Sequence, residues 1–243
     1  MLNLVRSIAF NVLFYLNTLF WLIVGLPTFF MPYRAIIWVA KTWGRVNLVL
    51  LRVAGIDYEL RGTEKIPPGP LIVASKHQST WETFALLPLF DNPAFILKRE
   101  LQWIPIFGWL TIKGRMVPVD RGAGSQALIA MTERARIELA RGRQLIIFPE
   151  GTRRPAGAEP RYKYGVARLY GAEGVACLPV ALNSGLFWPR RSLRLRPGTV
   201  IVEFLDPIAP GLDRDAFFER LRGVIEETTA RLLAEGETSQ SAS

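Results

Sequence analysis

The sequence has one histidine and one cysteine in 243 residues. A lone cysteine, Cys177, excludes an internal disulfide and is compatible with a reducing compartment. One histidine and one cysteine leave no Cys/His zinc site, and no metal is expected. No Gly-x-Ser-x-Gly turn occurs, so the nucleophile elbow of a serine hydrolase is missing. No internal repeat and no long linker break the chain. Charge is missing from one long stretch, since nothing between Ser7 and Tyr33 is ionised.

What is present is greasy and basic. Half of the residues are hydrophobic, and 30 Lys+Arg stand against 21 Asp+Glu, a net charge of +9. The length suits one domain plus an appendage. A chain of this texture suits an anionic membrane surface or an anionic substrate, with nucleic acid the other standard partner.

The uncharged run IAFNVLFYLNTLFWLIVGL is long enough to cross a bilayer as a helix, at ~20 residues per span. Pro27 should end or kink it. It is too long for a signal peptide, and no small-x-small cleavage site follows. In the next segment, Tyr33 to Ala54, the only charges are Arg34, Lys41, Arg45 and Arg52. Spacings of 7, 4 and 7 put all four on one narrow helical stripe, with apolar residues around the rest. Such a helix fits a membrane interface, or else the surface of a protein core. Residues 1–55 are therefore expected to form a two-helix membrane anchor, one helix apolar and one amphipathic. If the first helix spans, the Arg/Lys weight after it places the body in the cytoplasm.

From Ile56 the texture changes. Short apolar runs (IDYEL, LIVAS, AFILK, RMVPV, QLIIF, CLPVAL, TVIVEFL) alternate with helical stretches at Thr80–Leu89, Ser125–Arg141, Lys163–Tyr170 and Asp213–Ala234. This predicts an α/β domain over 56–235, with a central mixed sheet flanked by helices. Residues 236–243 read as a polar, frayed tail.

Four blocks carry candidate chemistry. In LIVASKHQSTWET, an apolar strand ends at Ser75, His77 sits in the turn and Glu82 opens a helix. Reacting groups in α/β folds are usually presented at strand ends. A neutral imidazole can take a proton from a hydroxyl when a carboxylate orients it. Yet His77 also fits an ordinary turn residue, and Ser79-Thr80-Trp81-Glu82 also fits a capping box. In QLIIFPEGTRR, Glu150 and Gly151 mark a turn with Arg153 and Arg154 beyond it, placed either to grip a phosphate or simply solvated. KGRMVPVDRG sets Arg115 and Arg121 about a short strand. CLPVALNSG has Pro179 inside an apolar strand, which predicts an edge or a bulge. Ahead of the third block, Trp103, Phe107 and Trp109 beside Lys98 and Arg99 suit an interfacial patch or a core segment.

Taken in order and at these separations, the blocks resemble the 1-acyl-sn-glycerol-3-phosphate acyltransferase family, the PlsC type, over roughly Ile56 to Leu205. The family's His-x4-Asp motif is similar to His77–Glu82, with glutamate in place of aspartate. Its second motif matches Gly114–Arg121, its Phe-Pro-Glu-Gly-Thr-Arg signature is intact at Phe148–Arg153, and its fourth matches Leu178-Pro179-Val180. The resemblance implies that His77, oriented by Glu82, deprotonates the sn-2 hydroxyl of lysophosphatidate. That oxygen would attack an acyl thioester on acyl carrier protein or coenzyme A, giving phosphatidate, with no cofactor. It further implies that Lys98, Arg121 and Arg153 hold the phosphate. Glu150, Gly151 and Thr152 would shape the acceptor site. The expected setting is a bacterial-type inner membrane, with membrane lipids as partners and the catalytic domain on the cytoplasmic face. No nucleic acid partner is expected, because no binding motif appears and the stripe and the phosphate site absorb many of the cations. The alternatives are another lyso-lipid or glycerol-3-phosphate as acceptor, or a non-enzymatic membrane-binding protein.

Overall fold

The computed structural model describes residues 1–120, 122 and 124–241. Seven strands form one sheet: β1 (Ile56–Arg61), β2 (Leu71–Ser75), β3 (Pro93–Lys98), β4 (Val117–Val119), β5 (Gln144–Ile147), β6 (Cys177–Leu182) and β7 (Gly198–Phe204). Their order is β1-β7-β6-β2-β5-β3-β4. Every pairing is parallel except β6 with β7, so the sheet is mixed. All seven predicted strands are present.

The central strands are buried on both faces, which is why they read as unbroken apolar runs. Alternate residues feed two cores. Leu71, Val73, Ile146, Val180 and Leu182 face one, and Ile72, Ala74, Leu145, Ile147 and Cys177 face the other. The first core is covered by α1 (Leu2–Gly25), α2 (Tyr33–Leu50), α3 (Glu82–Ala85) and α7 (Ser184–Phe187). The second is covered by α5 (Gly124–Ala140), α6 (Gly165–Glu173) and α8 (Arg214–Ser241). The remaining helix, α4 (Phe107–Lys113), packs on α1 and α2 through Leu110.

Pro179 lies in the sheet interior, not at an edge. Between the pairs Val180↔Phe204 and Cys177↔Ile208, three steps along β6 face four along the returning chain, so the register slips by one. Pro179 falls in that slip, where its missing N–H breaks no regular ladder. Of the two expectations, the bulge holds.

The anchor differs from the expected helix pair. The Leu2–Phe30 segment is long and apolar enough to cross a membrane by length and composition, and it alone qualifies among the described residues. One face of α1 is fastened to the domain. Phe10 and Phe14 pack edge-on against Trp188, and Asn11 Nδ2 donates to Leu193 O at 2.8 Å. The opposite face, including Val5, Val12, Leu16, Leu19 and Ile23, is bare. By contrast α2 buries Ile36, Ile37, Val39 and Leu48 in the protein. Gly44 brings α2 onto α3, since a Cβ there would come within 2.5 Å of Phe84 O. Within the cationic stripe, Lys41 donates to Phe90 O at 2.6 Å. An amphipathic pattern reads alike whether its apolar side meets lipid or a core, and most of this one meets a core.

Two local expectations also change. The helix expected over Thr80–Leu89 is the short α3 followed by a 3-10 turn at Leu87–Leu89, because Pro88 cannot continue an α-helix. The frayed tail is instead helical as far as Ser241. There Gly236 packs so closely that a Cβ would meet Leu186 at 2.8 Å.

Candidate active site

Strands β2, β3, β5 and β6 run parallel, so their C-terminal ends share one edge of the sheet. The turns after β2, β5 and β6 bring His77, Glu150 and Ser184 together there. Beside them lies a cavity of about 310 Å³. His77, Phe148, Gly151 and Arg153 line it, as do apolar residues of α1, α2 and α4.

Every freedom of His77 is constrained. Its Nδ1 lies 2.9 Å from Glu82 Oε1. Its backbone N–H donates to Glu150 Oε2 at 2.9 Å, and its carbonyl accepts from Arg154 N at 2.8 Å. Its ring stacks on Phe148 at a centroid distance of 3.9 Å. The turn holding Phe148 is closed by Gly151 N–H on Phe148 O at 2.9 Å, and Gly151 sits at φ +68°, where a side chain would be strained.

Glu82 is fully buried and both of its oxygens are engaged. Besides Nδ1, its Oε1 accepts the Gln78 and Ser79 N–H groups, each at 2.7 Å. Its Oε2 accepts Ser184 Oγ at 2.9 Å. Ser79 Oγ in turn accepts Trp81 N–H at 3.2 Å. The capping box is only half formed, since α3 starts at Glu82 with Trp81 before it, but its Glu82–Ser79 N–H bond and the His77 contact share one carboxylate oxygen. A carboxylate can only accept, so Nδ1 carries a proton, and in the neutral ring Nε2 is the nitrogen that keeps its lone pair.

The expected phosphate ligands are less uniform. Arg153 and Lys98 both line the cavity. Arg153 Nη1 donates to Thr80 Oγ1 at 2.7 Å, which aims it along the edge. Lys98 is half-exposed and pairs with Glu100 at 3.0 Å. Arg121 lies outside the described residues. Gly151 lines the cavity, Thr152 is exposed beside it, and Glu150 does not line it. Glu150 instead sits behind His77, where burial pushes its carboxyl up from the ordinary range against the pull of Lys76. Among the described residues, no group of His, Cys, Asp or Glu could hold a metal ion.

Sequence reasoning missed Phe148 as the stacking partner, Ser184 as the second anchor of Glu82, and Lys76. The last was the most visible, being a lysine directly after a strand that is apolar up to Ser75.

Residues 57–183 match the family model described as Acyltransferase. The chain is 38% identical over 204 residues to a 1-acyl-sn-glycerol-3-phosphate acyltransferase of Pseudomonas aeruginosa, covering 82% of this chain and 78% of that one. It is 29% identical over 187 residues to the human 1-acyl-sn-glycerol-3-phosphate acyltransferase alpha, covering 73% and 66%. The fold is shared with the crystal structure of the 1-acyl-sn-glycerophosphate acyltransferase PlsC from Thermotoga maritima. That match has a TM-score of 0.78 at 23% identity over 95% of each chain. On these grounds the chain belongs to the 1-acyl-sn-glycerol-3-phosphate acyltransferase family, and it is an acyl-transferring enzyme.

Proposed function

We propose that the enzyme acylates the sn-2 hydroxyl of lysophosphatidate from an acyl thioester, on acyl carrier protein or coenzyme A, to give phosphatidate. The observation that carries this reading is the 2.9 Å His77–Glu82 contact beside a cavity that joins cations to apolar helices. Nε2 of His77 takes the hydroxyl proton as the oxygen attacks the thioester carbon. A C–O bond forms and the C–S bond breaks. The departing thiolate recovers the proton from the imidazolium, which Glu82 stabilises meanwhile. No acyl-enzyme and no cofactor are needed.

Arg153 and Lys98 hold the acceptor phosphate, joined by Arg121, while Gly151 and Thr152 border the acceptor and Glu150 acts from behind His77. The acyl chain fills the apolar part of the cavity, which excludes water from the reacting thioester. The bare face of α1 seats the enzyme in the bilayer that holds acceptor and product. The cations that follow α1 favour the cytoplasmic face of a bacterial-type inner membrane.

The test is a product assay by mass. Lysophosphatidate and lyso-acceptors without phosphate are offered with acyl-coenzyme A and acyl carrier protein thioesters. Phosphatidate is the expected main product, and His77→Ala is expected to abolish it. Equal transfer to a phosphate-free acceptor sinks the substrate assignment, and full activity in His77→Ala sinks the general base.

A further inference from the structure

A second cluster of charge lies behind His77, away from the cavity. Lys76 is only 3% exposed, and its ammonium meets Glu150 Oε1 at 3.0 Å and Glu226 Oε1 at 2.6 Å. Tyr162 donates its hydroxyl to the same Glu226 oxygen at 2.8 Å, and the ammonium stands 5.8 Å from the Tyr162 ring centre. Arg222, one turn before Glu226 on α8, is turned to Glu219 at 2.6 Å. The contacts form one path. It runs from α8 through Lys76 to Glu150, whose other oxygen accepts the His77 N–H.

Burial of these charges is poor value for stability. An apolar set of similar volume would serve the fold as well or better. What an apolar set cannot do is hold a carboxylate oxygen against the His77 peptide. Glu226 also lies outside residues 57–183, the span matched by the family. Its contact to the catalytic turn crosses 150 residues of sequence.

We propose that Lys76 and Glu226 are positioning residues for acyl transfer, fixing the backbone of His77 through Glu150. Without Glu226, the Lys76 ammonium loses one of its two carboxylates and swings. Glu150 follows its cation, the His77 peptide turns, and Nε2 leaves the line of attack. An offset of about 1 Å at a reacting group costs up to roughly 100-fold in rate. The proposal rests on His77 acting as the general base.

The single histidine makes a direct test possible. Full-length enzyme without a histidine tag, labelled with 15N-histidine, gives one backbone amide signal. Glu226→Gln and Lys76→Met are expected to move that signal in the same direction as Glu150→Gln. Turnover with lysophosphatidate, or with whichever lyso-acceptor the product assay identifies, is expected to fall about 10- to 100-fold with KM nearly unchanged. Lys76→Arg should recover part of the loss. An unmoved amide signal, wild-type turnover, or a change confined to KM overturns the proposal. If thermal melting shows Glu226→Gln unfolded, Glu226→Asp carries the same test, because one methylene less draws the carboxylate back from Lys76 while keeping its charge. The amide signal does not depend on the chemistry, so an active His77→Ala would remove the general-base reading separately.

Discussion

Two buried glutamates hold His77, and they hold it by different means. Glu82 meets the ring and is surrounded by neutral donors, namely two backbone N–H groups and the Ser184 hydroxyl. Glu150 meets the backbone and is paired with a buried ammonium. A carboxylate among neutral donors keeps its full charge available to the imidazolium that the proposed mechanism would form in each cycle. A carboxylate paired with a buried lysine offers less to that proton and serves instead as a strut holding the His77 peptide. One residue type thus serves for electrostatics on one side and for placement on the other, and its neighbours decide which.

The sharpest way to break this contrast is Glu82→Gln. Glutamine keeps the acceptor oxygen and the cap but not the charge. Turnover should fall at least about 100-fold while melting stays near wild type, and near-normal turnover would reduce Glu82 to a cap. Glu82→Asp comes next. Although the motif that the sequence resembles carries aspartate, one methylene less draws the carboxylate back from His77 and Ser184, each 2.9 Å away here. A loss of about 10- to 100-fold is expected, and wild-type turnover would show that Ser184 is idle. Ser184→Ala removes one hydrogen bond to a charged group, about 1.5 kcal/mol or roughly tenfold in kcat. An unchanged pH–rate profile alongside that drop would separate orientation from charge.

The smallest expected effect is thermodynamic. Burial raises the Glu150 carboxyl above its ordinary 4.5, so the folded state prefers it protonated. Its contribution to stability is therefore full below pH 4.5 and is lost as pH rises through the folded value. Glutamine never ionises, so the melting temperature of Glu150→Gln relative to wild type should climb between pH 4.5 and pH 7. A flat difference would mean that Lys76 fully offsets the burial.

Much of this was legible in the sequence because it is local. The strands announce themselves as apolar runs, and His77 and Glu82 are five residues apart in one turn. The turn bond to Ser79 N–H and the contact to His77 looked like rival readings of Glu82, whereas a single oxygen makes both. The strut was not legible, since Lys76 and Glu226 meet only when α8 is laid across the second core. Nor was the seat of α2, whose pattern suits lipid and protein equally. Pro179 was legible as a disturbance in a strand, but only the strand order, with β6 between β7 and β2, shows that the disturbance is internal.

Gly44 carries a consequence for the enzyme in its membrane. It lets α2 rest on the carbonyl of Phe84, inside the short helix that Glu82 opens. Asn17–Asn47 and Thr18–Trp43 hydrogen bonds then tie α2 to α1. Packing and hydrogen bonds thus join the bare-faced α1 to the helix that Glu82 opens. If α1 sits in the bilayer as proposed, a change in the tilt of that helix would reach the helix that carries Glu82 through these same contacts.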